Sequence, residues 1–96
     1  MVMVTVEYLL KFKSITGKDK EEIVLDKSAT VKDVIDLLYK RYGEDFVREF
    51  SNPSGDAIGG RVLILLNGRT LRVPEDLTQP VNDGDTITIM HMVEGG

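Results

Sequence analysis

The residues best placed to do chemistry are the last two, Gly95 and Gly96, which follow Glu94 and carry the terminal carboxylate of the sequence. Residues without a Cβ can lie extended in a narrow channel and take backbone angles closed to other residues, so a diglycine end suits passage into a confined site. Glycines at a chain end also occur as simple fraying, and the surrounding pattern has to decide between the two. Other candidates are weaker. His91 is the single histidine, so no histidine pair can hold a metal, and it reads as a strand residue rather than a base. Asp83 and Asp85 flank Gly84 and read as turn-formers, and Gly59-Gly60 repeats the diglycine inside the chain, where it carries no free carboxylate. There is no cysteine, which excludes a thiolate metal site, an iron-sulfur cluster, a disulfide framework and a cysteine nucleophile. With no constellation of nucleophile, base and orienting group, no catalytic residue and no metal site is assigned, and an independent enzyme is the weakest reading.

Composition narrows the classes further. At 96 residues the chain has room for one domain with one core. Twelve basic against sixteen acidic side chains give a formal net charge of -4, without the positive potential that phosphate neutralisation needs, so nucleic acid is not expected as the main partner. No run approaches the roughly 18 apolar residues of a membrane-spanning helix, and the start, Met1 to Glu7, alternates rather than reading as a secretory signal. A cytoplasmic protein with no membrane partner is expected.

The elements that must position the tail follow from periodicity. Val2, Val4, Val6, Tyr8, Leu10 and Phe12 fall on one side of an extended chain, predicting a long half-buried strand over Val2 to Phe12. Polar Ser14 to Asp19 then reads as the connection to a second strand around Glu22 to Leu25, closing a hairpin. Val31, Val34, Ile35, Leu38 and Tyr42 fall at helical spacing. Thr30 and Asp33 stand at its cap positions and Gly43 at its end. Phe46, Val47 and Phe50 predict a second amphipathic turn before the loop from Ser51 to Gly60. Val62 to Leu66 is a continuous apolar strand, stopped at Asn67-Gly68 and followed by a short extended Thr70 to Val73. Pro74 to Pro80 reads as an irregular crossover, Asn82 to Asp85 as a tight turn, and Thr86 to Val93 as the last strand.

Hairpin, helix, strand, short strand, last strand predicts an α+β fold, a mixed four- to five-stranded sheet packed on one main helix. This pattern resembles the ubiquitin-like β-grasp sulfur carriers. That family includes the small subunit of molybdopterin synthase, the thiamin-pathway sulfur carrier, the ubiquitin-related modifier and the small archaeal modifier proteins. The resemblance rests on the opening strand, the helix from Thr30 to Tyr42, the segment Val62 to Gly68 (VLILLNG), the turn Asp83-Gly84-Asp85 and the terminal Gly95-Gly96, and spans nearly the whole chain. It implies a domain over residues 1–93, a flexible tail over 94–96, and a ubiquitin-activating-type adenylyltransferase as partner. That enzyme would use ATP to adenylate the Gly96 carboxylate, and the adenylate would become a thiocarboxylate, or a thioester for conjugation to lysine. The carrier binds no cofactor itself. His91-Met92-Val93-Glu94 stand where molybdopterin synthase small subunits carry small or apolar residues, often with a proline pair, which leaves the branch of the family open.

Alternation in the strands also predicts a docking face. With Ile87, Ile89 and Val62, Ile64, Leu66 turned inward, the outward set comprises Leu63, Leu65, Thr88, Met90 and Met92, and together with Val93 and Glu94 these are the candidate partner-docking residues. Three functions remain open: a sulfur carrier for molybdopterin-type cofactor biosynthesis or tRNA thiolation, with the large subunit of molybdopterin synthase as one onward partner; a modifier joined through Gly96 to lysines of target proteins; and a β-grasp interaction domain without tail chemistry.

Overall fold

The computed structural model describes residues 1–51, 62–72 and 75–91. β1 (Val2–Tyr8) and β2 (Lys20–Leu25) pair antiparallel, from Val2 opposite Leu25 to Glu7 opposite Lys20. After α2 (Val31–Tyr42) and α3 (Glu44–Ser51) come β3 (Val62–Leu66), β4 (Arg69–Thr70) and β5 (Thr86–His91), preceded by a short 3-10 turn over Glu75–Thr78. The sheet order is β2-β1-β5-β3-β4. Its central strand β5 runs parallel to β1 and antiparallel to β3, so the expected mixed sheet is present, with five strands among the described residues.

The expected long first strand is shorter than its alternation suggested. β1 ends at Tyr8, Leu10 turns the chain with φ 56°, and α1 (Lys11–Thr16) follows. Leu10, expected on the buried side, is 53% exposed, whereas Phe12 is fully buried. The turn at Leu10 occupies backbone space that costs about 1–3 kcal/mol for a non-glycine residue. Full burial of a phenylalanine contributes about 1.5–3 kcal/mol, which offsets it. As a helix residue Phe12 reaches Phe46 and Phe50, at ring distances of 5.3 and 6.3 Å. Gly17 (φ 73°) ends α1 in the left-handed conformation, its amide donating to the Lys13 carbonyl at 2.9 Å. The two strands therefore pair as read but are joined by a helix, not by a simple turn.

Elsewhere the local signals act as expected. The Asp33 amide donates to Thr30 Oγ1 at 3.3 Å and the Thr30 amide to Asp33 Oδ2 at 2.8 Å, a reciprocal capping box. Val31, Val34, Ile35 and Leu38 are buried along α2. Asn67 (φ 52°) and Gly68 (φ 86°) both adopt positive φ, as a two-residue hairpin turn of the right twist requires. The Asp83-Gly84-Asp85 turn is tied to β1 and to the turn between β3 and β4. Asp83 Oδ1 accepts from the Met3 amide at 2.7 Å, and Asp85 accepts from the Asn82 amide at 2.7 Å and from Asn67 Nδ2 at 3.0 Å. Both carboxylates are thus committed to holding turns, in keeping with their reading as turn-formers. The segment read as an irregular crossover contains the 3-10 turn, and the strand expected over Thr70 to Val73 is confined to Arg69–Thr70 among the described residues.

The helices among the described residues share one core with the sheet. Val4, Val6, Ile64, Ile87 and Ile89 turn toward them and are fully buried. At one end of this core a carboxylate is built in. Glu21 accepts hydrogen bonds from the hydroxyls of Tyr8 and Tyr42 on one oxygen, and from Lys18 Nζ (3.1 Å) and Arg41 Nη1 (2.8 Å) on the other. Burial opposes its charge, but the hydroxyls of Tyr42 and Tyr8 and the Lys18 ammonium hold its carboxyl at about 2, below the usual range. Burial and the neighbouring Glu21 push the Tyr8 phenol up well above its ordinary value.

Candidate functional site

The candidate site is the outer face of the sheet along β3 and β5. Ile87 and Ile89 alternate inward along β5, which turns Thr86, Thr88 and Met90 outward. In β3 the fully buried Ile64 turns Leu63 and Leu65 the other way. Register then fixes the neighbours: Leu63 pairs with Met90 and Leu65 with Thr88. The face assignments made from alternation agree with this arrangement. Leu63, Leu65, Thr88 and Met90 form one contiguous group on two adjacent strands, each of them partly exposed.

Two features of this face were not singled out from the sequence. Leu9 and Leu10 are 41% and 53% exposed where the chain leaves β1, and the Leu9 amide donates to the Ile89 carbonyl at 3.1 Å. Leu9 therefore borders β5 at Ile89, and its signal was available in its place on the outward set of β1. Glu7 is the second feature. It pairs with Thr88 across β1 and β5, is partly buried, and accepts a hydrogen bond from Thr88 Oγ1 at 3.1 Å through Oε1.

β5 is described as far as His91, whose backbone pairs with Val62. The candidate residues Met92, Val93, Glu94, Gly95 and Gly96 lie outside the described residues, as does the internal pair Gly59-Gly60. His91, the last described residue of β5, follows directly on Met90, which pairs with Leu63. Among the described residues no group of three histidine, cysteine, aspartate or glutamate side chains is placed to hold a metal ion. Among them, no helix is long and apolar enough to cross a membrane.

The structure is similar to a Pyrococcus furiosus protein assigned as subunit 1 of molybdopterin converting factor. The two share 32% identity and a TM-score of 0.75 over 97% of this chain and 100% of that one. Small archaeal modifier protein 1 from Methanosarcina acetivorans is 25% identical, with a TM-score of 0.73 over 100% of this chain and 98% of its own. A chain of the BexX/CysO complex from Amycolatopsis orientalis is 29% identical, with a TM-score of 0.66 over 97% and 99% of the two chains. No curated protein matches the sequence. The sequence pattern of the ThiS family matches from residue 6, inside β1, through residue 96, taking in the rest of β1, β2 to β5 and the terminal diglycine. The chain therefore belongs to the ThiS family, the ubiquitin-like β-grasp sulfur carriers.

Proposed function

We propose that the protein carries sulfur on its own C-terminus, with a ubiquitin-activating-type adenylyltransferase as its activating partner. In the first step the Gly96 carboxylate attacks the α-phosphate of ATP, giving the acyl adenylate and releasing pyrophosphate. In the second, hydrosulfide attacks the acyl carbon, AMP leaves, and loss of the sulfur's proton gives the thiocarboxylate. The first step is needed because a carboxylate oxygen is a poor leaving group, and AMP is a good one. The carrier contributes no acid, base or metal of its own; ATP is used by the partner. Its part is mechanical. The body, residues 1–93, presents Leu63, Leu65, Thr88 and Met90 to the partner, and the tail from Glu94, with Gly95 and Gly96, enters the active site.

The observation that carries this reading is the family match running through Gly96, on a chain whose central strand leads to that tail. The sulfur would go to a molybdopterin-type cofactor or to tRNA thiolation in the cytoplasm. The large subunit of molybdopterin synthase would be the acceptor in the first case. The similarity to a molybdopterin converting factor subunit supports the first destination. The similarity to a small archaeal modifier protein favours a second use, conjugation through Gly96 to lysines of other proteins. Both uses share the adenylate. ATP-pyrophosphate exchange with the host adenylyltransferase should therefore proceed with the full chain and stop when Gly96 is deleted. Equal exchange by the two chains would leave an interaction domain without tail chemistry.

A further inference from the structure

Resting on that docking reading, we propose that Glu7 makes the outer face selective for a partner that brings a cationic side chain, arginine or lysine, to the middle of an otherwise apolar contact. Lys20, Glu7, Thr88, Leu65 and Thr70 form one row across the whole sheet, from edge strand β2 to edge strand β4. Glu7 sits on the interior strand β1, partly buried, with Thr88 between it and Leu65 in that row. Thr88 Oγ1 donates to Glu7 Oε1 at 3.1 Å from the β5 side. That bond ties the carboxylate to β5, whereas Lys20 is its neighbour on β2. Among the described residues no ion pair joins Glu7 to Lys20 or to any other cation.

The physical consequence concerns water. Glu7 is partly exposed, and Thr88 is the one hydrogen-bond partner of its carboxylate among the described residues, which leaves its second oxygen open to water in the free protein. A partner that covers Leu65 and Met90 removes that water, and a carboxylate left without a counter-charge in a dried contact is strongly unfavourable. A wholly apolar partner surface is therefore rejected, and one offering a guanidinium or ammonium opposite Glu7 is accepted. Glu22, one row further along on the same face, adds a second acidic group. The net charge of -4 steers cationic surfaces toward the chain and sets two copies of it against each other.

The test is a titration of the host adenylyltransferase with the full chain at low and high salt, comparing wild type with Glu7→Gln, Thr88→Val and Leu65→Asp, each checked for an unchanged melting curve. Glu7→Gln keeps shape and removes charge. It is expected to weaken binding about tenfold and to flatten the salt dependence. Thr88→Val releases the tether and is expected to cost about threefold. Glu7→Gln binding as tightly as wild type with the same salt dependence, while Leu65→Asp abolishes binding, would overturn the proposal and leave the docking reading standing. Failure of the wild-type chain to bind would overturn both. Concentration-dependent self-association that Leu65→Asp abolishes would assign the face to a second copy and overturn the proposal as well.

Discussion

The two faces of the sheet are made from alternate residues of the same strands, and they are built to different rules. Inward, Val4, Val6, Ile64, Ile87 and Ile89 meet the helices and are fully buried. Beyond them, the three Phe and three Tyr of the chain form one connected set of ring contacts, including Tyr8 with Tyr42 at 6.1 Å and Tyr39 with Phe46 at 6.0 Å. Outward, the same strands carry Leu63, Leu65 and Met90, only partly covered and set beside Thr88 and Glu7. One face excludes water completely and fixes the fold. The other retains apolar surface that folding leaves partly uncovered, next to a polar pair that gives direction to a contact. Stability and recognition are thus divided by one residue of sequence, as between Ile64 and Leu65.

That division is open to direct attack. Ile64→Ala empties a fully buried position on an interior strand and should cost about 2–5 kcal/mol, read as a large fall in the denaturation midpoint. Acidification is the next largest perturbation. Glu21 has its folded-state pKa held near 2, below its ordinary 4.5. Its contribution is therefore complete above about pH 4.5 and is lost as pH falls toward 2. After allowing for solvent screening, about 1–2 kcal/mol should disappear across that window, and Glu21→Gln should remove that part of the acid dependence in denaturation curves. Thr30→Ala breaks the capping box of α2 and should cost about 1 kcal/mol, also read from the midpoint. Leu65→Ala, the neighbour of Ile64 on the other face, should cost about 1 kcal/mol or less in stability while weakening the adenylyltransferase complex. Equal stability losses for Ile64→Ala and Leu65→Ala would break the division between faces.

Much of this was legible where a period ran its full course. The alternation of Thr86 to Met90 and of Val62 to Leu66 assigned both faces correctly, because a strand has only two sides. Val31 to Leu38, with Thr30 and Asp33 before them, carried the helix and its cap. The failure at Leu10 has an equally local cause. α1 spans only Lys11–Thr16, too short to show a helical repeat, and Leu10-Lys11-Phe12-Lys13 continues the alternation of β1. The punctuation lay in Gly17, which caps the helix but read as part of a hairpin loop. The Glu21 site was hidden for another reason. Tyr8, Glu21 and Tyr42 are far apart in sequence and meet only once α2 lies across β1 and β2, so no spacing announced them. Glu7 was similarly unremarked, since its meaning comes from the parallel register with Thr88.

The account stands on the proposed chemistry of Gly96, and intact mass spectrometry of the untagged protein tests it most directly, after incubation with ATP, sulfide and the host adenylyltransferase. Exchange of one carboxylate oxygen for sulfur adds about 16 mass units. The account predicts that gain in the full chain, localised by fragmentation to Gly96, and no gain when Gly96 is absent. An unchanged mass in the full chain, with the enzyme shown to be active on another carrier, would contradict it.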